Sequence, residues 1–232
     1  MDTEALLLRA ICENPDDDTP RLVFADFLQE QDDRVSVSWA ELIRAQIWAA
    51  AHDGGASSPC PEADSLVTRE LVRERVGLAL PAQVRAWDRG FPCALVNPIA
   101  ELRYVWPRVA YRVPIRSLRI TGASEKGAAE FATWAGLEVI RELEVLFGWD
   151  AGASHSLSWL VGCAGLRGVR ELVLDWVNPT DEGAVAILDA PHLTSLKKLR
   201  WHSLSLSQLS APVVRRLAAR FGPEVIDDGS NR

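Results

Sequence analysis

The chain has 232 residues, 48% of them hydrophobic, with 25 basic and 32 acidic side chains and a formal net charge of −7. This length allows one large domain or two small ones, and the apolar fraction is ample for a core. Proteins bind nucleic acids and anionic membranes through basic surfaces, so the net negative charge of this chain argues against both classes of partner.

Three features predict a cytoplasmic protein. The first ten residues, MDTEALLLRA, carry acids and lack the basic start of a secretory signal. No apolar run approaches the roughly 18 residues that span a bilayer. The cysteines are far apart and include no C-x-x-C pair, which is typical of free thiols in a reducing compartment. They are Cys12, Cys60, Cys93 and Cys163.

The first part of the chain is predicted to be helical, because its apolar residues recur at helical spacing. The predicted helices cover 3–13 and about 20–30, 37–51 and 64–79.

Two polar residues of the second helix have predicted roles. Thr19, followed by Pro20, is expected to cap its start. Asp26 falls inside its apolar pattern, and we expect Asp26 to pair with Arg21 or Arg44 at a helix junction rather than to bind a ligand.

The string NPDDDTPRLVFADFLQEQDD at 14–33, followed by WAELIRAQ, resembles the bacterial repeat-companion domain, a helical module found at the start of many leucine-rich-repeat proteins. RAWDRGF at 85–91 resembles the segment by which that family leads into its first repeat strand. The link QDDRVSVS departs from the family's usual shorter connection. The resemblance implies architecture and bacterial origin, and it brings no enzymatic residues. The family's core pattern is carried by Asp17, Asp18, Pro20, Arg21, Leu22, Ala25, Asp26, Leu28 and Glu30.

A short pattern returns four times in the second half, at spacings of 25, 29 and 27 residues, which is typical of stacked repeats. The strings are IRSLRIT at 115–121, IRELEVL at 140–146, VRELVLD at 169–175 and LKKLRWH at 196–202. Each contributes one residue to three apolar columns that should point into the core. The columns are Ile115, Ile140, Val169, Leu196; Leu118, Leu143, Leu172, Leu199; and Ile120, Val145, Leu174, Trp201.

Helical patterns follow these strings, and in TDEGAVAIL at 180–188 Thr180 is expected to cap the helix. The arrangement resembles the ribonuclease-inhibitor type of leucine-rich repeat. The usual asparagine ladder is absent, so we expect a short, irregular solenoid. CALVN at 93–97 is the predicted first strand, and 100–110 its return helix or loop, ending near Pro107.

The predicted fold class is therefore α/β. A helical repeat-companion domain over 1–90 caps a leucine-rich-repeat-like solenoid over 91–226, which has a parallel sheet and outer helices, and a disordered tail covers 227–232.

Strand side chains alternate, so the positions between the apolar columns form a mixed-charge surface on the other side of the sheet. Aromatic residues near arginines are enriched at the anchor points of protein interfaces. Two alternatives stay open. Phe147 and Trp176 close the core over a loop, and a charged ladder forms a solvated, ion-paired face; this ladder is the basic column Arg116, Arg141, Arg170 and Lys197, which precedes the acidic Glu142 and Glu171. The candidate partner-binding residues are Arg119, Glu144, Leu146, Phe147, Trp149, Val173, Asp175, Trp176, Arg200 and His202.

No catalytic signature is present, neither G-x-x-x-x-G-K-[ST], G-x-S-x-G nor H-E-x-x-H. The histidines lack ligand-spaced partners, and Asp16, Asp17 and Asp18 fit a helix start better than a Ca²⁺ loop. We therefore expect no catalytic residues, metal or cofactor.

The predicted function is non-catalytic binding or scaffolding of a protein partner of unknown identity, with the oligomeric state left open. The alternatives are an accessory or regulatory subunit of an enzyme complex, an enzyme with a site where the two parts meet, and a purely structural unit of a larger assembly.

Overall fold

The computed structural model describes residues 2–52, 66–78, 83–147, 157–175, 180–202, 209–222 and 226–227. Over these ranges the chain is an α/β protein whose sheet is mostly parallel and not closed on itself, as the fold class predicts. Among them, no helix has both the length and the apolar character needed to cross a membrane.

The chain divides into two compact units. The N-terminal unit comprises Met1–Leu95 and Tyr104–Ile115, and the C-terminal unit comprises Val96–Arg103 and Arg116–Arg232. Of the predicted tail, Asp227 ends a short strand, and 228–232 lie outside the described residues.

The predicted helices at the start of the chain are confirmed, although the third begins earlier and the fourth is shorter than the pattern suggested. They are α1 (Thr3–Glu13), α2 (Thr19–Gln29), α3 (Arg34–His52) and α4 (Leu66–Arg75).

The predicted cap of α2 is wrong in its details. Thr19 is the first helical residue, and its backbone N–H donates to Asp17 Oδ1 at 2.9 Å. An aspartate that bonds the backbone two residues on is a common turn device, and here it replaces the threonine hydroxyl. The hydrogen bonds from Thr19 hold the pKa of Asp17 below its ordinary value. Asp18 Oδ1 instead lies 2.7 Å from Arg89 Nε.

An aromatic cluster fills the core of the N-terminal unit. The Phe24 ring centroid lies 5.1 Å from that of Trp39 and 5.9 Å from that of Phe91, and Trp39 and Phe91 are 5.3 Å apart. Trp39 Nε1 donates to the Gly90 carbonyl oxygen at 2.8 Å, and the Gly90 N–H donates to Gln46 Oε1 at 2.7 Å. Helix α3 is therefore fixed to a turn that lies far from it in sequence.

That turn joins β1 (Gln83–Asp88) to β2 (Phe91–Pro98) through Arg89 and Gly90 alone. Both residues have positive φ, 51° and 83°, which is the backbone of a tight type I′ hairpin. The predicted strand at 93–97 is confirmed as part of β2, whereas β1 was not predicted.

The predicted return element is a helix, α5 (Ile99–Val109), which includes Pro107 and ends shortly after it. Beyond the proline, the Ala110 N–H still donates to the Trp106 carbonyl oxygen at 2.8 Å. Proline lacks the N–H that would donate to the Arg103 carbonyl oxygen, so α5 continues past Pro107 with one helical hydrogen bond missing.

The four repeat strings form neighbouring parallel strands in the C-terminal unit, in the predicted register. The strands are β3 (Ser117–Ala123), β4 (Glu142–Phe147), β5 (Glu171–Asp175) and β6 (Lys198–His202), with β7 (Ile226–Asp227) beside β6. Leu118, Leu143, Leu172 and Leu199 align, as do Ile120, Val145, Leu174 and Trp201. All three predicted apolar columns are buried, which confirms them.

One irregularity interrupts this register. Ile120 pairs with Val145, but the next register pair is Ala123 with Phe147, so β3 carries one extra residue. Gly122 has a φ of 61°, the left-handed backbone that a bulge of this kind favours.

Helices and short turns connect the strands. They are α6 (Glu125–Phe131), α7 (Ser158–Gly162), α8 (Asp181–Asp189) and α9 (Ala211–Phe221), with 3₁₀ turns at Leu137–Val139 and Ala164–Gly168. The predicted cap at Thr180 is confirmed, because its Oγ1 accepts from the Gly183 N–H at 3.1 Å.

The backbone just before each strand forms its own ladder. The Arg141 N–H donates to the Arg116 carbonyl at 2.8 Å, Arg170 to Arg141 at 2.7 Å and Lys197 to Arg170 at 2.8 Å. These bonds satisfy backbone groups that would otherwise be left unpaired beside the core.

Candidate functional site

The side of β3–β6 opposite the apolar columns is a surface of half-buried and exposed side chains, here called the strand face. The parity of strand residues places these side chains away from the core. The strand face consists of Ser117, Arg119, Glu142, Glu144, Leu146, Glu171, Val173, Lys198 and Arg200.

The register aligns the strand face into rows across the sheet. The first row is Ser117, Glu142, Glu171 and Lys198, and the second is Arg119, Glu144, Val173 and Arg200. Of the third row, Leu146 and Asp175 pair in register, as do Asp175 and His202, but the bulge in β3 leaves Thr121 out of register with Leu146.

Three ion pairs link neighbouring strands of the strand face. Arg119 Nε lies 3.3 Å from Glu144 Oε1, and Glu171 Oε1 lies 3.3 Å from Lys198 Nζ and 3.4 Å from Arg200 Nη2. The five side chains are partly exposed to water. Of the predicted charged ladder only Glu171 takes part in these three pairs, and such exposed pairs each contribute about 0 to 1 kcal/mol to folding.

Two apolar side chains lie among these charges. Leu146 on β4 and Val173 on β5 are half-buried on neighbouring strands, while the core leucines of the same strands are fully buried. The strand face thus combines a small apolar centre with charged surroundings.

Two of the predicted partner-binding residues are buried instead. Phe147 is 4% exposed, because β4 continues to it and it shares the parity of Leu143 and Val145. It closes the core, as the alternative interpretation predicts. Asp175 is also 4% exposed, at the end of β5.

The remaining predicted aromatic residues lie beyond what the structure describes. Trp149 and Trp176 are outside the described residues, so their part in binding a partner stays a prediction. Of His202 only the backbone position is described, in β6 and in register with Asp175.

Two cysteines of the described chain, Cys12 and Cys163, are buried. Burial raises the pKa of the Cys12 thiol to about 12. Burial also raises the pKa of Cys163, whose Sγ donates to the Ala132 carbonyl at 3.4 Å. These thiols are protonated at neutral pH and are poor nucleophiles. Within the described ranges, no three His, Cys, Asp or Glu side chains are grouped so that they could hold a metal ion.

Asp26 pairs with Arg44, as one of the two predicted arrangements has it. Arg44 Nη2 lies 2.7 Å from Asp26 Oδ1 and joins α2 to α3. However, the Asp26 side chain is 73% exposed, so this pair lies on the surface of the helix junction rather than inside it.

Sequence reasoning missed a shallow cleft of about 170 Å³ in the C-terminal unit. It lies between the start of α5 and helix α6, and no sequence motif marks it. Its walls include Ile99, Arg103, Ser124, Lys126, Glu130 and Trp134.

Comparison with protein-family models, with curated proteins and with solved structures finds no match for this chain.

Proposed function

We propose that this chain is a non-catalytic module that binds a protein partner through its strand face. The observation that carries the proposal is the shared register of β3, β4, β5 and β6, which aligns alternate side chains into continuous rows. Repeated strands of this kind give an extended recognition surface without any dedicated pocket.

The composition of the strand face fits a role in binding a partner better than a role in stabilising the fold. Its exposed ion pairs add little to stability, whereas its apolar centre at Leu146 and Val173 is left partly in water. A small apolar centre surrounded by polar groups is the usual anatomy of a protein interface.

The proposal includes an architecture. The C-terminal unit is a leucine-rich-repeat-like stack, preceded by a helical unit of the repeat-companion type, in a cytoplasmic protein. The parallel register, the repeat spacings of 25 to 29 residues and the string at 14–33 support it.

Site-specific photo-crosslinking in the source cell tests the proposed surface. A photoreactive amino acid replaces Val173 on the strand face or, as a matched control, Val214, which is 36% exposed on α9 of the same unit. We expect a discrete protein adduct from position 173 and none from position 214. Adducts from both positions, or from 214 alone, contradict the proposal.

Binding measured with the purified partner gives the second part of the test. Val173→Asp should weaken affinity by about 2 kcal/mol or more if the residue is a hot spot, while Val214→Asp leaves it unchanged. Melting temperatures of both variants show whether either change acts through the fold.

A further inference from the structure

On the basis of the proposed function, we propose that the partner lays an α-helix across the strands of the strand face. The contacting side of that helix carries an acidic, a basic, a basic and an acidic residue at positions i, i+3, i+7 and i+10. The inference rests on the charge order across the sheet and on the spacing of the strands.

Charge changes sign twice across the strand face. Read from β3 to β6, the strands are basic, acidic, acidic and basic. The residues are Arg119 on β3, Glu142 and Glu144 on β4, Glu171 on β5, and Lys198 and Arg200 on β6. A complementary partner has the inverse order, with cations over the two central strands and anions over the two outer ones.

The two central strands place like charges side by side. Glu142 and Glu171 are register partners on β4 and β5, and like charges opposite each other destabilise a sheet. Glu171 is compensated by Lys198 and Arg200. Glu142 is exposed, and its carboxylate makes no hydrogen bond or ion pair with any residue the structure describes. A basic side chain of the partner close to Glu142 and Glu171 relieves the repulsion between these two carboxylates.

The spacing of the strands favours a helix over an extended segment. Adjacent strands lie about 4.8 Å apart, so the four strands span about 14 Å. One side of a helix presents a residue every three or four positions, a rise of about 4.5 to 6 Å, and positions i and i+10 are about 15 Å apart. An extended segment presents a side chain on one side every two residues, a spacing of about 6.6 Å, which does not match the spacing of about 4.8 Å between the strands.

The apolar centre completes the fit. Leu146 and Val173 lie on the same two strands as the acidic pair, with Val173 in the next row of the strand face and Leu146 in the row after that. A helix whose basic residues meet Glu142 and Glu171 therefore places an adjacent apolar side chain over Val173, which lies one row away.

Two synthetic peptides test the charge order. Both are alanine- and leucine-based, of about 18 residues, and stapled on the non-contacting side to keep them helical. One carries Glu-Lys-Lys-Glu at i, i+3, i+7 and i+10, and the other carries Lys-Glu-Glu-Lys, so that composition and net charge are identical. Fluorescence anisotropy with the full-length chain gives both dissociation constants, with protein up to about 1 mM.

We expect the Glu-Lys-Lys-Glu peptide to bind at least about tenfold more tightly. In the double variant Glu142→Lys/Glu171→Lys the preference should invert. The control Glu41→Lys/Glu182→Lys has the same net charge, changes exposed residues on α3 and α8, and should keep the original preference. Equal binding, the opposite preference, or no binding of either peptide overturns the proposed charge order.

A second copy of the chain is the rival occupant, and sedimentation of the full-length protein detects it. Self-association that the Glu142→Lys/Glu171→Lys change abolishes assigns the strand face to a homodimer and overturns the helix proposal. The proposed function fails separately, because it depends on the crosslinks at Val173 and Val214 and not on the peptides.

Discussion

The two compact units bury their cores by different means. In the C-terminal unit, the buried residues of the apolar columns repeat at spacings of 25 to 29 residues, and their strand neighbours are their own equivalents on adjacent strands. In the N-terminal unit, the core depends on single contacts between distant segments, such as Trp39 Nε1 with the Gly90 carbonyl.

This difference decides how much one residue matters. A column residue in the C-terminal unit is one of several similar apolar contacts, so its loss leaves a cavity in an otherwise intact stack. Gly90 in the N-terminal unit has no equivalent. It supplies the turn conformation, its carbonyl accepts a hydrogen bond from Trp39, and its N–H donates one to Gln46, both on α3. The largest single effects are therefore expected in the N-terminal unit.

Gly90→Ala should be the most damaging substitution. An added Cβ would lie 2.8 Å from the Ile43 Cα, and φ is 83°. The left-handed backbone costs a non-glycine residue about 1 to 2 kcal/mol, and overpacking adds about 1 to 3 kcal/mol. With the hydrogen bonds to α3 disturbed as well, we expect a loss on the order of 4 kcal/mol in urea unfolding.

Gly122→Ala is the matched control, because it shares a positive φ of 61° but its added Cβ meets no atom within 4 Å. It should lose only the conformational part, about 1 to 2 kcal/mol. Equal losses at the two glycines mean that Ile43 moves aside and that the contact with α3 is not tight.

Leu172→Ala should be the next largest loss. Leu172 is fully buried in the middle of its column, and truncation of a buried leucine costs about 2 to 5 kcal/mol through lost transfer energy and a cavity. Glu144→Ala, on the strand face of the neighbouring strand, should cost well under about 1 kcal/mol, since it removes one exposed ion pair. Similar losses at both positions contradict the alternation seen in β4 and β5.

The apolar columns of the C-terminal unit could be predicted from the sequence, because equivalent positions in a repeated pattern identify the residues that pair on neighbouring strands. Leu118 and Leu143 occupy the same place in two strings, and a parallel stack brings such places together. The alternation then fixed which residues form the strand face, including Arg119 and Arg200. Phe147 was misplaced because the pattern ends before it, whereas the strand continues.

The N-terminal unit shows where this kind of inference ends. Helical periodicity located α1–α4, but nothing local in the sequence indicates that Trp39 reaches Gly90. Strand β1 was missed for a related reason: among its described side chains, from Val84 to Asp88, none is buried, so it carries no alternating apolar signal. Contacts between distant, non-repeating segments produce no periodic pattern in the sequence, so they could not be predicted from it.

Two threonines show the same contrast at a smaller scale. Both begin helices and both are predicted caps, but only Thr180 accepts from the backbone, at the Gly183 N–H. Thr180→Ala should therefore lose about 1 kcal/mol of unfolding free energy. Thr19→Ala should lose under about 0.5 kcal/mol, because Thr19 is an exposed first helical residue and Asp17 makes the turn. The reverse order of losses contradicts the observed helix starts.

The smallest effects concern two surface aspartates, one in each unit, and they appear only as pH dependence. Asp33 accepts from the Ser36 hydroxyl and from the Ser36 N–H at 2.9 Å, within the first turn of α3. Asp181 Oδ1 accepts from the Ser210 N–H at 2.8 Å and so links the starts of α8 and α9. These hydrogen bonds lower the pKa of both carboxyl groups below the ordinary value of 3.8.

Because each folded-state pKa lies below the unfolded one, the ionised carboxylate stabilises the fold above about pH 4, and the contribution is lost as pH falls through the folded value. Asp33→Asn and Asp181→Asn keep an acceptor oxygen but remove the charge. Each should lower the melting temperature slightly at pH 6 to 7, and this difference from the natural protein should vanish toward pH 2. A difference that stays constant with pH assigns the effect to packing or to hydrogen-bond geometry. If the melting-temperature difference vanishes at low pH for Asp33→Asn but not for Asp181→Asn, then the charge of Asp181 does not strengthen the hydrogen bond that it accepts from Ser210.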